Sequence, residues 1–268
     1  MIIFPQAKIN LGLHVLKKRE DCYHEVETCM YSIPLFDILE ILPADEFSFK
    51  QTGLNIDANI ESNLCVKGFR LIQNEFKIPN VYMHLRKQIP MGAGLGGGSS
   101  DAANVINGLN ELFSLDIPQS QKENLAAQLG SDCAFFIQSS PKLATGRGEK
   151  LSEISVDLKG KHLLLIYPDI HVGTAEAYAS VDFYKGSKSV VEILGLSLTE
   201  WQGQLENSFE KTIFSKYPIL SMIKNKMLTR GAQFAAMSGS GSSIFGIFEN
   251  KPEKLELPTS NRQFLLEL

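Results

Sequence analysis

Apolar and polar residues alternate over 7–16. Ile9, Leu11, Leu13 and Val15 share one side, and Lys8, Asn10, Gly12 and His14 the other, which predicts a strand. Its polar side reads as a solvated edge face or as a face on which Lys8 and Asn10 project together, with open space beside them at Gly12. A polar turn over 17–21 leads into a second strand with Tyr23 and His24 at its mouth, where either is ordinary as a surface or core residue. Strands are expected at 37–42 and 46–50, then a helix capped by Ser62 and running to Glu75, with Val66, Phe69, Ile72 and Phe76 on its apolar stripe. Residues 81–87 alternate again, Val81, Met83 and Leu85 against Tyr82, His84 and Arg86. Ala102, Val105, Ile106, Leu109, Leu112 and Phe113 then recur at helical spacing, with Ser99 or Ser100 as the N-cap. A capping box over 120–123 opens another helix that ends at Leu129 before Gly130, and Asp132 stands at its exit, the position of a turn or cap residue. Downstream, 145–149 reads as a turn, 162–167 as a strand stopped by Pro168, and Thr174 as the cap of a helix holding Tyr178. Helices over 198–214 and 219–228 follow, then strands over 233–237 and 243–248 around a glycine-serine turn. The mixture makes this an α/β (α+β) chain with a boundary near 155–160.

The stretch 90–101 reads P-M-G-A-G-L-G-G-G-S-S-D and leads straight into a helical pattern. A loop nearly free of side chains lets backbone N–H groups approach an anion, and the helix dipole adds positive charge there. Gly92, Gly94 and Gly97 fit G-x-G-x-x-G, but a second helix follows where a dinucleotide-binding unit needs a strand. No Gly-Lys-Ser/Thr is present, as a Walker loop requires, and a protein-kinase glycine loop opens a hairpin instead of a helix. A flexible linker would not sit between a strand pattern and an amphipathic helix. A nucleotide phosphate is the anion this pattern points to.

Composition narrows the field. The chain has 268 residues, 44% hydrophobic and 21% charged, which suits a globular chain of one or two domains. A net charge of −4 argues against a nucleic-acid partner. With no long apolar run and no secretory leader, a cytoplasmic protein without a membrane partner is expected. Cys22, Cys29, Cys65 and Cys133 form no C-x-x-C and read as free thiols.

Taken together, the early A-K-I-N-L-G-L, then P-M-G-A-G-L-G-G-G-S-S-D-A-A and the late M-S-G-S-G-S-S resemble, in order, the three motifs of the GHMP kinases. C-Y-H-E-V-E-T is similar to the substrate segment of the branch that phosphorylates a cytidyl diphosphate erythritol derivative for isoprenoid synthesis, with Cys22 where that branch writes Gly. The resemblance implies two domains, 1–155 and 156–268. The first would be ribosomal protein S5 domain 2-like and bind ATP, the second ferredoxin-like, with the active site in the cleft between them. It implies ATP and Mg²⁺ as cofactors and Lys8 and Asp132 as catalytic residues. ATP would be bound by Pro90, Met91, Gly92, Ala93, Gly94, Leu95, Gly96, Gly97, Gly98, Ser99, Ser100 and Asn63, with the Ser100 hydroxyl on the metal. Asn10, Tyr23, His24, Thr174 and Tyr178 would bind the small-molecule substrate, and Gly239, Ser240 and Gly241 would form the third glycine motif. G-S-D-C-A-F-F-I is similar to the family's G-A-D-V-P-F-F, and Asn207–Glu210 to its N-D-x-E. A monomer or homodimer is expected. The rivals are a GHMP kinase for another alcohol, mevalonate- or homoserine-like, and a non-catalytic nucleotide-binding regulator, which would not need both Lys8 and Asp132.

Overall fold

The computed structural model of the chain describes residues 1–54, 59–179 and 181–268. In chain order the elements are β1 (Ile2–Ile3), β2 (Gln6–Lys18), β3 (His24–Phe36), β4 (Ile38–Pro43), β5 (Ser48–Gly53), α1 (Leu64–Phe76), β6 (Val81–Lys87), α2 (Gly97–Leu112) and α3 (Gln119–Ala127). There follow β7 (Lys142–Gly146), β8 (Lys150–Glu153), β9 (His162–Tyr167), α4 (Thr174–Ala179), α5 (Val190–Leu194), α6 (Leu198–Trp201), α7 (Glu210–Lys216), α8 (Pro218–Thr229), β10 (Phe234–Met237), β11 (Ile244–Phe248) and β12 (Arg262–Glu267). Single 3₁₀ turns occupy Ile60–Ser62 and Ala134–Ile137. By compactness the chain divides into Met1–Ala7, Leu35–Met91 and Gly96–Ser140 as one unit, and Lys8–Pro34, Gly92–Leu95 and Pro141–Leu268 as the other.

The first unit holds a sheet of order β1-β4-β6-β5 in which only β5 runs parallel to its neighbour. Small residues let the layers close. A Cβ on Gly68 of α1 would lie 3.3 Å from the Ala102 carbonyl of α2, and one on Gly108 would lie 3.0 Å from the Ile41 side chain of β4. Val66, Phe69, Ile72, Val105, Ile106 and Leu109 are fully buried, each such side chain contributing about 1.5–3 kcal/mol. Within this apolar unit β6 ends in Lys87, whose ammonium is enclosed by Asp37 and by Asp101, the latter at 2.8 Å. Asp37 also accepts the Gln88 and Ile89 backbone N–H groups, at 2.5 and 3.0 Å. Burial raises the Asp101 carboxyl above the ordinary carboxylate range although the ammonium pulls the other way.

The second unit has two antiparallel sheets, β2-β3-β7-β8 and β10-β11-β9-β12. One core joins them: Leu13, Val15 and Val26 from the first, Leu164, Ile166, Ala235 and Ile244 from the second, and Phe209, Ile213, Leu220 and Ile223 from the helical segment between.

Several expectations are corrected. The polar side of β2 is not a solvated edge: Lys8 and Asn10 are 3% exposed and His14 0%. Gly12 leaves no open space, because a Cβ there would lie 3.0 Å from Leu205 Cγ, and its φ of +69° favours glycine. Helix α2 starts inside the glycine run, capped by the left-handed backbone of Gly96 (φ 68°) and not by Ser99 or Ser100. Asn63, not Ser62, caps α1, its side chain accepting from Cys65 N at 2.9 Å. Helix α3 has no side-chain cap. The helix expected over 198–214 is broken because Leu13 of β2 pairs with the stretch between α6 and α7, receiving from Ser208 N and donating to Glu206 O, both at 2.8 Å. Ser189 and Glu192 form a capping box for α5, an unforeseen helix, and the turn over 145–149 closes a β7–β8 hairpin.

His14 carries a pH-dependence. Its ring stacks on Tyr184 (centroids 3.5 Å, interplanar 10°) and neither nitrogen finds a hydrogen-bond partner among the described residues. Glu27, 4.0 Å from Nδ1, is beyond hydrogen-bond reach, and burial pushes the imidazole down to about 4. The unfolded chain therefore takes up this proton first, near 6.5, so stability is full above that pH and falls as pH drops toward 4. Urea unfolding at pH 7 and pH 5 should show wild type losing about 2 kcal/mol more than His14→Leu. Equal losses would mean that the ring is charged or reaches water.

Candidate functional site

The loop Gly92–Leu95 belongs to the second unit and is sewn there by its own carbonyls. Ala93 O accepts from Ser243 N at 3.2 Å, Gly94 O from the Ser238 hydroxyl at 2.8 Å and Leu95 O from Lys8 N at 3.0 Å. Asn10 N in turn donates to Ser238 Oγ at 3.2 Å. The approach demands glycine: a Cβ on Gly94 (φ +75°) would overlap the Ser238 carbonyl, and one on Gly239 (φ +56°) would lie 3.3 Å from Gly94 Cα. With the carbonyls committed inward, the N–H groups are the side of the loop that an anion can reach. Past Gly96 the chain continues as α2, whose dipole favours negative charge at its start.

The third glycine motif is braced from behind. The buried Asn207 amide donates to Met237 O and Gly239 O, both at 2.8 Å, and Glu210 accepts Met237 N at 2.8 Å while paired with Lys224. On β2, Lys8 donates to the Asn10 side-chain oxygen, and Asn10 Nδ2 donates to Thr28 Oγ1 at 3.0 Å. The Thr28 hydroxyl donates to Gly12 O. The second unit thus brings together Lys8, Asn10, Gly92–Leu95 and the motif Gly239, Ser240, Gly241.

The substrate candidates sort into two groups within that unit. His24 stacks on Tyr178 (centroids 4.8 Å, 21°) and also faces Phe183 at 6.3 Å. Thr174 lies 3.5 Å from Ser240, hydroxyl to hydroxyl. Tyr23 is not in the His24 stack: its exposed ring lies under the Arg147 guanidinium at 4.8 Å. Cys22 holds φ 66°, a left-handed backbone that suits the Gly found there in the resembled segment.

The other candidates lie in the first unit. Asp132 is half-buried in the turn before Ala134–Ile137, a 3₁₀ turn whose Phe135 and Phe136 are buried. Cys133 beside it is inert, burial pushing its thiol up to about 11. Asn63 is half-buried as the α1 cap, 3.4 Å from Gln51. Ser100 is wholly buried with Asn104 Nδ2 at 3.5 Å, and Ser99 is half-buried. Among the described residues no cluster of three His, Cys, Asp or Glu side chains is placed to hold a metal. Thr28, reached from the neighbouring strand, and Arg147, reached from the β7–β8 turn, are contacts between segments far apart in the chain, for which spacing carries no signal.

Comparison with known proteins fits this arrangement. Residues 63–140 match the family description GHMP kinases N terminal domain, and residues 190–260 match GHMP kinases C terminal. The chain belongs to the GHMP kinases. It is similar to 4-diphosphocytidyl-2-C-methyl-D-erythritol kinase of Cytophaga hutchinsonii, 48% identical with 98% of each chain covered. The protein of that name from Parabacteroides distasonis is 43% identical, covering 100% of this chain and 98% of the relative. A crystal structure of 4-(cytidine 5'-diphospho)-2C-methyl-D-erythritol kinase superposes with a TM-score of 0.77 at 31% identity, over 92% of this chain and 90% of that one.

Gly94→Ala should destabilise the protein by about 2–4 kcal/mol through left-handed strain and overlap with Ser238. Gly148→Ala, at φ +101° with nothing within 4 Å of the new methyl, isolates the strain alone. Urea unfolding of both variants measures the difference, and equal losses would show that the two glycine segments do not press together.

Proposed function

We propose that the protein transfers the γ-phosphoryl group of ATP to the 2-hydroxyl of 4-diphosphocytidyl-2-C-methyl-D-erythritol, a step of the non-mevalonate route to isoprenoid precursors. The observation that carries this is end-to-end similarity, at 48% identity, to a kinase named for that substrate. The chain retains Lys8, Asn10, the glycine loop and the Tyr23-His24 pair.

Phosphoryl transfer asks little covalent chemistry of a protein; positioning and charge stabilisation supply most of the rate. The amides of 92–98 and the residues around them, Pro90 to Ser100, would cradle the triphosphate, with Asn63 toward the nucleoside. Asp132 would orient the acceptor hydroxyl or take its proton. Lys8, held extended by Asn10, would supply positive charge near the transferring group. The tertiary alcohol is crowded and has a very high pKa, so direct transfer with Asp132 only orienting it stands beside true base catalysis. Tyr23, His24, Thr174 and Tyr178 would receive the cytidyl end, with aromatic faces for the base. Residues 1–155 would then carry nucleotide binding and 156–268 complete the substrate site. No described helix is long and apolar enough to cross a membrane, in keeping with a cytoplasmic enzyme acting on small molecules.

Magnesium accompanies ATP chemistry, screening phosphate charge when bound. It keeps most of its shell as phosphate oxygens and water, so a site with few protein donors suits it. The buried Ser100 hydroxyl, already beside Asn104, offers it no open position, whereas Ser99 is half-exposed.

ADP release should require the cytidyl substrate and should be absent with mevalonate or homoserine. Asp132→Asn and Lys8→Ala, folded by circular dichroism, should each lower kcat by ~10²–10⁴-fold. Near-normal turnover in both would reject these assignments. Tyr23→Ala should mainly raise KM for the cytidyl substrate.

A further inference from the structure

A histidine outside the family motifs stands at the phosphate loop. After β9 the chain turns at Asp169 (φ 54°) and runs to α4 through Ile170, His171, Val172 and Gly173. Two contacts fix that run. The Ile170 carbonyl accepts the Ser242 hydroxyl next to the third glycine motif, and Val172, 2% exposed, is drawn into the core of the second unit. His171 between them is turned outward and exposed. Its ring edge rests on Gly92: a Cβ there would overlap Nδ1, with Cε1 at 2.7 Å and Cγ at 3.8 Å. Three residues on, Thr174 faces Ser240. The imidazole therefore has its nitrogen edge on the first glycine of a loop whose carbonyls are turned inward and whose amides are left to face an anion.

Core packing does not account for an exposed ring in that place. An imidazole offers one N–H donor when neutral and two when protonated, and the amide cradle beside it supplies directional donors but no mobile charge. We propose that His171 is a phosphate-binding residue, donating a ring N–H to the polyphosphate chain held at Gly92–Leu95. This rests on the kinase reading above. Both the ATP triphosphate and the diphosphate of the cytidyl substrate have the required chemistry, and binding measurements separate them.

The test is titration calorimetry with ATP and with the cytidyl substrate, each alone, on wild type, His171→Phe and His171→Gln. Phe keeps a ring against Gly92 but has no donor, whereas Gln restores an N–H. Loss of a hydrogen bond to a charged group should weaken one ligand by roughly 10- to 100-fold in His171→Phe. His171→Gln should recover a good part of it, with melting temperatures unchanged. Weakening confined to ATP assigns the contact to the triphosphate, and weakening confined to the other ligand assigns it to the diphosphate. Wild-type affinity for both ligands in His171→Phe overturns the proposal, as does equal weakening in the Phe and Gln variants. Absence of turnover in wild type that still binds ATP would sink the reaction assigned above, leaving this inference to be judged by the dissociation constants alone.

Discussion

The contact on which the site depends is between two stretches of backbone that have no side chains to keep them apart. Gly94 meets the Ser238 carbonyl so closely that no Cβ fits, and the Ser238 hydroxyl donates to Gly94 O at 2.8 Å. That bond and its neighbours from Ser243 N and Lys8 N take up three successive loop carbonyls. A peptide unit that turns its carbonyl inward turns its N–H outward, so inward satisfaction of the loop leaves its donors to the outside. Asn207 and Glu210 hold the opposing strand end by its backbone, so the surface under the loop is fixed as well. Anion recognition built from backbone needs no basic patch, so the proposed phosphate site is compatible with a net charge of −4.

The first unit fixes the helical end of the same stretch by a different force. Lys87 stands just before the loop, and its ammonium, shared by Asp37 and Asp101, lies 3.1 Å from where a Cβ of Gly97 would be. Such an ion set gains little over an apolar core of equal volume, but removing one member strands a buried charge at about 3–5 kcal/mol. Its consequence is therefore geometric more than energetic. Asp101 on α2 and Asp37 after β3 meet at one ammonium while Asp37 also holds the Gln88 and Ile89 amides, which fixes α2 and both strand ends in one arrangement.

What could be read from the sequence divides along the range of the interactions. Strand β6 follows the alternation of Val81, Met83 and Leu85, and β9 the apolar run ended by Pro168, because periodicity and proline act locally. The glycine loop was legible because its composition has few other uses. The start of α2 was not: serines are good caps, yet the left-handed backbone of Gly96 caps it, and crowding by Ile89 and Lys87 favours glycine at the first helical position, Gly97. The break in 198–214 was hidden as well, because Leu13, nearly two hundred residues away, supplies the competing hydrogen bonds. Tyr23 and His24 are neighbours in sequence but face different partners, Arg147 and Tyr178, Tyr23 standing in the bend after the left-handed Cys22 and His24 opening β3.

Strand β2 shows that burial acts differently on polar residues of one face. Lys8, Asn10 and His14 read as one polar face, and all three are buried to within a few per cent. At one end the polar groups are linked in series, Lys8 to Asn10, Asn10 to Thr28 and Thr28 to the Gly12 carbonyl, so a desolvated ammonium is held in a defined direction. At the other end His14 is enclosed by the Tyr184 ring with no hydrogen bond among the described residues, and desolvation leaves it neutral. The same alternation places a hydrogen-bonded ammonium at Lys8 and a ring without such a partner, among the described residues, six residues later. Thr28 on the neighbouring strand extends the series at the Lys8 end, accepting from Asn10 and donating to the Gly12 carbonyl.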